Sequence, residues 1–132
     1  MTQSPQNVAP ADGKLGVLCV GLGAVTSTLI AGVELAKKGM AQPMGSLTEM
    51  GTLRLGKRTD ARVPAIRDFV PLASLDDIVF GAWDPFPDDA IVAAQRAGVL
   101  ESGRHVEPIA DDLRAVVPMP AAFDPDYVKR LD

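Results

Sequence analysis

The chain has 132 residues, of which 47% are hydrophobic and 23% are charged, and its formal net charge is −4. This length suits one domain with its own core, and the acidic balance argues against general binding to nucleic acids, whose phosphates need a positive surface. No apolar run approaches the roughly 18 residues of a membrane-spanning helix, so we expect a soluble protein without a membrane partner.

Residues 1–13 form a polar leader before the first apolar run. They lack the charged start and apolar region of a secretory signal, so we expect a flexible leader and a cytoplasmic protein.

Cys19 has no partner for an internal disulfide and is expected to be buried. His105 is expected in a surface loop and not as a general base. One cysteine and one histidine cannot supply a zinc cluster, and no carboxylate spacing predicts another metal site.

The first apolar run, residues 15–20, leads directly into a glycine turn at residues 21–24 and then into a helical pattern. This order predicts a strand, a turn and a helix, which is the arrangement of a phosphate-binding turn. Gly21 suits a tight turn, Gly23 leaves room for a pyrophosphate, and the free N–H groups of the helix face the anion. Thr26 stands where the full motif has a third glycine, and many such turns bind nothing. The strand has little polar interruption, so we expect it to be central and buried on both faces.

The helix after the turn is expected to end near Lys38 and Gly39, because basic residues suit the negative end of the helix dipole and glycine commonly follows a helix. Its hydroxyl-rich first turn, residues 26–28, either caps the helix or donates to a bound phosphate, and both alternatives stay open. The apolar spacing predicts a buried face made of Val25, Leu29, Val33 and Ala36.

Residues 40–70 are cut by proline and glycine into pieces too short for a confident element. A helical turn is expected at Ser46, which begins a Ser-x-x-Glu capping box, and residues 52–55 are a candidate extended piece. The basic side chains of this segment either meet phosphate or an acidic partner, or lie in a solvated loop with local ion pairs, and we favour the loop. They are Arg54, Lys57, Arg58, Arg62 and Arg67.

A second apolar run, residues 77–84, ends in Asp84 and predicts the second strand of the sheet. Ligands bind beyond the carboxyl ends of parallel strands, so Asp84 would lie beside the glycine turn and could accept hydrogen bonds from a dinucleotide ribose. That acid usually follows the glycines by about 20 residues, so residues 40–70 would have to be an insertion. The alternative is that Asp84 caps the next helix.

Two further helices are expected in the second half of the chain. The first opens at residues 87–89 and ends at Gly98, because proline and carboxylates suit a first helical turn. The second begins near Pro108 and ends before Pro118. A last helical turn is expected at residues 127–131. The buried face of the second helix is predicted to hold Ile109, Leu113, Val116 and Val117.

Four blocks occur in the chain in this order: GLGAVTSTLIAGVELAKKG, GSLTEMGTLRLGKRTD, IVFGAWDPFPDDAIVAAQRAGVLE and VVPMPAAFDPDYVKRL. Through them the chain, from about Lys14 to its end, resembles the amino-terminal part of bacterial inositol-3-phosphate synthases, also called myo-inositol-1-phosphate synthases. The resemblance implies an α/β fold, a partial Rossmann-like parallel sheet with flanking helices, over residues 14–132. The family usually has glycine where Ala82 stands and commonly isoleucine where Pro85 stands, which bears on the contacts near Asp84.

The resemblance implies an enzyme that converts D-glucose 6-phosphate into 1D-myo-inositol 3-phosphate with tightly held NAD. In that family the cofactor oxidises the sugar, enolisation and aldol closure follow, and the reduced cofactor returns its hydride. Asp84 matches the acid of the family's Gly-Trp-Asp motif, which faces the adenosine ribose. The residues that match the dinucleotide turn are Gly21, Leu22, Gly23, Ala24, Val25 and Thr26. No catalytic residue is implied here, because the family's catalytic lysines and sugar-phosphate ligands, like the sheet that forms the tetramer, belong to a later domain.

The chain alone is therefore expected to be inactive. A partial Rossmann sheet leaves an open edge and an apolar face, so we expect the chain to be marginally stable, to self-associate, or to depend on a partner chain that carries the rest of the enzyme. Two alternatives stay open: a non-catalytic nucleotide-binding or interaction module, and a fragment of another NAD-dependent oxidoreductase. A Walker-type NTPase is disfavoured, since no Gly-Lys-Ser/Thr follows the turn.

Overall fold

The structure is a computed structural model that describes residues 9–10, 12–86 and 88–122. Within these residues, one sheet holds three parallel strands in the order β1-β2-β3. The strands are β1 Leu15–Val20, β2 Ile78–Asp84 and β3 Met119–Pro120. The predicted α/β class is confirmed, and both predicted strands form. The predicted turn at residues 127–131 and most of the leader lie outside the described residues.

The described part of the chain holds five α-helices: α1 Ala24–Lys37, α2 Leu47–Met50, α3 Ile66–Phe69, α4 Ala90–Ala97 and α5 Ala110–Ala115. The predicted end of α1 is confirmed by Lys38 and the left-handed Gly39 that follow it. Helix α4 begins one residue after its predicted opening, because Asp89 is its N-cap and accepts from the Val92 N–H at 3.0 Å. None of the described helices has the length and apolar character needed to cross a membrane.

Helix α1 buries a different face from the predicted one. Its buried residues are Ser27, Ile30, Ala31 and Leu35, whereas Val25 and Leu29 are exposed. Ser27 tolerates burial because its hydroxyl donates back to the Gly23 carbonyl at 2.9 Å. A prediction that treats serine as a polar, exposed residue therefore assigns the wrong buried face to α1.

Helix α5 lies where the sequence predicted the helix after Pro108, but one residue of its predicted buried face is exposed. Ile109 and Leu113 are fully buried and Val116 joins the same core, but Val117 is exposed. Helix α5 ends at Ala115, and the backbone of Val116 is extended. Successive side chains of an extended chain point to opposite sides, so Val117 turns away from the core.

His105 does not lie in a loop as predicted. It belongs to a single π-helical turn, Ser102–Val106, where it is half-buried and its Nδ1 accepts from the Glu101 N–H at 3.1 Å. This local hydrogen bond gives the imidazole a structural role in closing the turn.

The irregular segment 40–70 contains two short helices, α2 and α3, and a hairpin between them. Helix α2 starts after Ser46 as predicted, although the Ser46 side chain makes no capping hydrogen bond. The extended piece is confirmed, since Leu55 N–H donates to the Arg62 carbonyl at 2.9 Å in an antiparallel bridge. All five basic residues of the segment are exposed, and Arg67 pairs with Glu49 at 3.6 Å. These placements agree with the favoured solvated segment.

Strand β1 is not buried on both faces, contrary to the prediction. Cys19 is half-buried and packs against the core with Phe80 and Ala82 of β2. On the opposite face, Leu18 is 60% exposed and Val20 is 89% exposed. In the described part of the chain β1 also pairs along one edge only. A central parallel strand is normally covered on both faces, so this face and edge are available for contact.

We expect the isolated chain to self-associate through this face. An unpaired strand edge next to exposed apolar side chains favours association, and the combined change Leu18→Thr and Val20→Lys should shift the chain toward monomer in sedimentation velocity over a concentration series. Met44→Lys is the control, because Met44 is 82% exposed but lies outside the sheet. A wild-type chain that remains monomeric across the series would contradict this expectation.

Candidate functional site

The glycine turn connects the carboxyl end of β1 to the first turn of α1. Gly21 has a φ of +92°, a left-handed conformation that favours glycine, and its N–H donates to the Trp83 carbonyl at 2.8 Å. Gly23 is the N-cap of α1, and among the described residues no side chain caps the helix. The first N–H groups of a helix have no partner within the helix. The turn therefore presents uncapped N–H groups at the positive end of a 14-residue helix.

The hydroxyl groups of this first turn are used by the helix itself. Ser27 donates to the carbonyls of Gly23 and Ala24, and Thr28 donates to the Ala24 carbonyl at 2.7 Å. A hydroxyl that caps a helix would instead accept from a free N–H group. Ser27 and Thr28 therefore leave the N–H groups of the helix free, and the first alternative, capping, is wrong for these two residues.

Asp84 lies at the carboxyl end of β2, against the glycine turn. Its Oδ2 accepts from the Leu22 N–H at 2.6 Å, and its Oδ1 accepts from the Phe86 N–H at 2.9 Å. The alternative that Asp84 caps α4 is wrong, since Asp89 does so. A carboxylate offers about four acceptor sites, so two hydrogen bonds leave capacity for a ligand hydroxyl. Asp84 thus holds the turn and the loop after β2 together.

One cavity of about 680 Å³ joins these elements. Ligand cavities commonly measure about 300–1,000 Å³. Its lining comes from the glycine turn, the loop after β2 and one face of α4: Gly21, Leu22, Gly23, Ala24, Asp84, Pro85, Phe86, Asp88, Ala93, Arg96 and Ala97. Five of the predicted contact residues are among them, whereas Val25 and Thr26 lie in the first turn of α1 and are absent from this lining. The structure thus brings the turn and Asp84 to one concave site.

Six lining residues were not predicted as contacts from the sequence, and three of them, Phe86, Asp88 and Arg96, are in contact through Arg96. Arg96 forms an ion pair with Asp88, and its guanidinium carbon lies 5.1 Å from the centroid of the Phe86 ring. A sequence signal did exist, because Ala93, Arg96 and Ala97 are spaced to share one face of a helix. That helix directly follows the strand that ends in Asp84.

A second cavity, of about 420 Å³, lies away from the turn, and none of the predicted cofactor contacts is among its described lining residues. Its cationic Lys37 is already engaged, since the ammonium donates to Glu34 at 2.8 Å and to the Ile78 carbonyl at 2.7 Å. Glu49 in the same cavity pairs with Arg67. The Lys37–Ile78 contact joins α1 to the start of β2, and the Glu49–Arg67 pair joins α2 to α3.

Comparisons with known proteins agree on one family. The family model described as myo-inositol-1-phosphate synthase matches residues 15–132. The chain is 47% identical over 128 residues to inositol-3-phosphate synthase 1 of Bacteroides thetaiotaomicron, covering 96% of this chain and 29% of that protein. It is 35% identical over 129 residues to inositol-3-phosphate synthase isozyme 1 of Arabidopsis thaliana, covering 87% of this chain and 25% of that protein.

A solved structure shows the same relationship. The chain is similar to the crystal structure of inositol-3-phosphate synthase from Caenorhabditis elegans, with a TM-score of 0.73 and 27% sequence identity over 84% of this chain. The match covers 24% of the solved chain. This chain therefore spans between about a quarter and three tenths of the length of these relatives.

Proposed function

Because this chain belongs to the myo-inositol-1-phosphate synthase family, we propose that it forms the NAD-binding part of an inositol-3-phosphate synthase. The observation that carries the proposal is the single cavity at which the glycine turn, the uncapped start of α1 and Asp84 meet. Residues 14–132 are the proposed NAD-binding part, and residues 1–13 are the proposed leader.

The residues of the cavity fit a dinucleotide. A Cβ atom built on Gly23 would meet no heavy atom of the described residues within 4 Å, so the glycine leaves open space beside the uncapped N–H groups. We assign the pyrophosphate to this position, with Gly21, Leu22 and Ala24 shaping the turn and Val25 and Thr26 contributing first-turn backbone N–H groups. Asp84 is assigned to the ribose hydroxyls, which it reaches with the acceptor sites that the backbone leaves free.

The proposed reaction is that of the whole enzyme. D-glucose 6-phosphate is converted into 1D-myo-inositol 3-phosphate, and NAD supplies the hydride acceptor and donor chemistry. The residues of this chain bind and orient the cofactor, and we assign none of them a catalytic role. The remainder of the enzyme chain, a homotetrameric assembly and a cytoplasmic location are parts of the same proposal. Because the chain belongs to this family, we rank a fragment of another oxidoreductase below this function.

Calorimetric titration tests the cofactor assignment. The 132-residue chain, checked for folding by circular dichroism, is expected to bind NAD with about one site per chain. Glucose 6-phosphate conversion should appear only when the carboxyl-terminal part of a relative is added. Binding without turnover in the combined sample would favour the non-catalytic nucleotide-binding module, and a folded chain that does not bind NAD would contradict the proposed function.

A further inference from the structure

A hairpin formed by residues 52–65 lies on the surface of the chain, and none of its residues is buried. Its two strands meet at the antiparallel bridges Thr52–Ala65 and Leu55–Arg62. A two-stranded hairpin is at best marginally stable in water unless a third strand or another surface packs against it. This hairpin therefore exposes backbone and side chains that a partner can cover.

The strand at residues 52–55 has a free edge. The N–H groups of Leu53 and Leu55 donate across the hairpin, each at 2.9 Å. Because the N–H groups of an antiparallel strand alternate between its two sides, those of Thr52 and Arg54 point away from the hairpin. Neither of these two N–H groups has a backbone hydrogen-bond partner among the described residues, and both residues are exposed. An extended segment can therefore add to the hairpin at this edge.

The charges of the hairpin favour an acidic occupant. It carries four basic side chains and one acid, in a chain whose formal net charge is −4. The acid, Asp60, is used within the hairpin, because its Oδ2 accepts from the Lys57 N–H at 2.9 Å. The four basic side chains are exposed, and none forms an ion pair with another described residue: Arg54, Lys57, Arg58 and Arg62. An acidic segment complements these cations as well as the free strand edge beside them.

The length of the relatives indicates where such a segment comes from. This chain spans between about a quarter and three tenths of their length, so most of each relative has no counterpart here. The hairpin is absent from the described lining of the cavity beside the glycine turn, so a partner can cover it without closing that cavity. Leu53 and Val63 are 40% and 51% exposed and add apolar area to the contact. These features suit a partner that belongs to the same enzyme.

We propose that residues 52–65 are the docking surface for the carboxyl-terminal part of the enzyme, which adds an extended acidic segment to the strand at residues 52–55. The segment accepts hydrogen bonds from the N–H groups of Thr52 and Arg54, and its carboxylates pair with the basic side chains of the hairpin. This inference rests on the proposed function, because that function includes the remainder of the enzyme as a partner.

Charge reversal tests the docking surface. The chain is co-expressed with the carboxyl-terminal part of the Bacteroides thetaiotaomicron relative, and the dissociation constant of the purified complex is measured by interferometry. Arg54→Glu combined with Arg58→Glu is expected to raise it at least about 10-fold, because like charges across an interface repel. Arg104→Glu combined with Arg114→Glu is the matched control, since both arginines are exposed and lie outside the hairpin. Affinity for NAD should change in neither variant, because none of the four residues is in the described lining of the cavity.

Hydrogen exchange tests the strand addition without any variant. The amides of Leu53 and Leu55 are already bonded across the hairpin, whereas those of Thr52 and Arg54 are free of backbone partners in the described part of the chain. Formation of the complex should slow exchange at Thr52 and Arg54 at least about 10-fold and change the other two amides less. Unchanged exchange at Thr52 and Arg54 in the complex would overturn the strand addition.

The remaining outcomes separate this inference from the proposed function. If the unchanged chain binds NAD and both folded double variants form equally tight complexes, the docking surface is wrong and the proposed function stands. A chain that binds NAD but forms no complex also contradicts the docking surface. Self-association lost only in the hairpin variant, or tighter binding to polyuridylic acid or to phosphatidylglycerol vesicles than to the carboxyl-terminal part, would assign the surface to another occupant. If the folded, unchanged chain does not bind NAD, the proposed function is wrong.

Discussion

Gly23→Val is expected to abolish measurable NAD binding and to leave the chain folded. The Gly23 φ of −92° is accessible to valine, and a Cβ atom at this position meets no heavy atom within 4 Å in the part of the chain that the structure describes. The valine side chain would therefore enter the open space that we assign to the pyrophosphate, without a clash inside the protein. We expect a loss of at least about 100-fold in affinity, which corresponds to roughly 2.8 kcal/mol.

The matched control for this change is Gly32→Val. Gly32 lies in the same helix, its Cβ position is equally open, and it does not line the cavity. Gly23→Val loses some stability, because valine is a poorer N-cap residue than glycine, whereas Gly32→Val is not expected to lose stability through helix propensity, because valine is a better helix former than glycine. Calorimetry should show wild-type affinity for Gly32→Val alone. Equal NAD affinity for the wild type and a folded Gly23→Val chain would contradict the phosphate-turn assignment.

The parts of the fold that the sequence predicted well are those fixed by neighbouring residues. Strand β1, the glycine turn and the start of α1 follow one another without interruption, and their order alone identifies them. Gly98 ends α4 as predicted because a left-handed backbone after a helix suits glycine. The placement of Asp84 beside the turn followed from the rule that parallel strands share a carboxyl edge.

The parts that were wrong depend on contacts that a local pattern does not contain. Ser27 is buried because its hydroxyl bonds to the helix backbone, so the burial of α1 does not follow its apolar stripe. The exposed face of β1 carries Leu18 and Val20. A strand pattern predicts burial for both because their side chains are apolar. Whether such a face is covered depends on elements that pack from elsewhere in a protein.

The pairing of Arg96 with Asp88 and Phe86 also depends on contacts that a local sequence pattern does not contain. The two charged residues are eight positions apart, and the helix and the loop must both be placed before the guanidinium can lie over the ring. Sequence spacing shows that Arg96 shares a helix face with Ala93 and Ala97 but does not show which way that face turns. The family resemblance predicted a cofactor turn and a role for Asp84 from matched motifs, and it named neither Phe86 nor Arg96 as a contact.

Asp84→Asn is expected to weaken both the turn and the cofactor site. Each carboxylate oxygen accepts from one backbone N–H, at Leu22 and at Phe86. An amide has one oxygen that accepts and one nitrogen that only donates, so asparagine can satisfy one of the two N–H groups and faces the other with a second donor. The expected cost in unfolding free energy is about 1–3 kcal/mol, measured by urea denaturation.

The effect of Asp84→Asn on NAD should be smaller than that of Gly23→Val, because the asparagine removes contacts but fills no space. We expect about a 10-fold loss, since one ribose hydrogen bond and the order of the turn are affected. Asp77→Asn removes the same charge just before β2, where Asp77 forms an exposed pair with Lys14, and should change neither quantity by much. An Asp84→Asn chain with wild-type stability would show that the carboxylate does not hold the turn. If the Asp84→Asn chain is less stable than the wild type but binds NAD with the same affinity, Asp84 has only a structural role. A residue that binds the ribose cannot be replaced without a change in affinity.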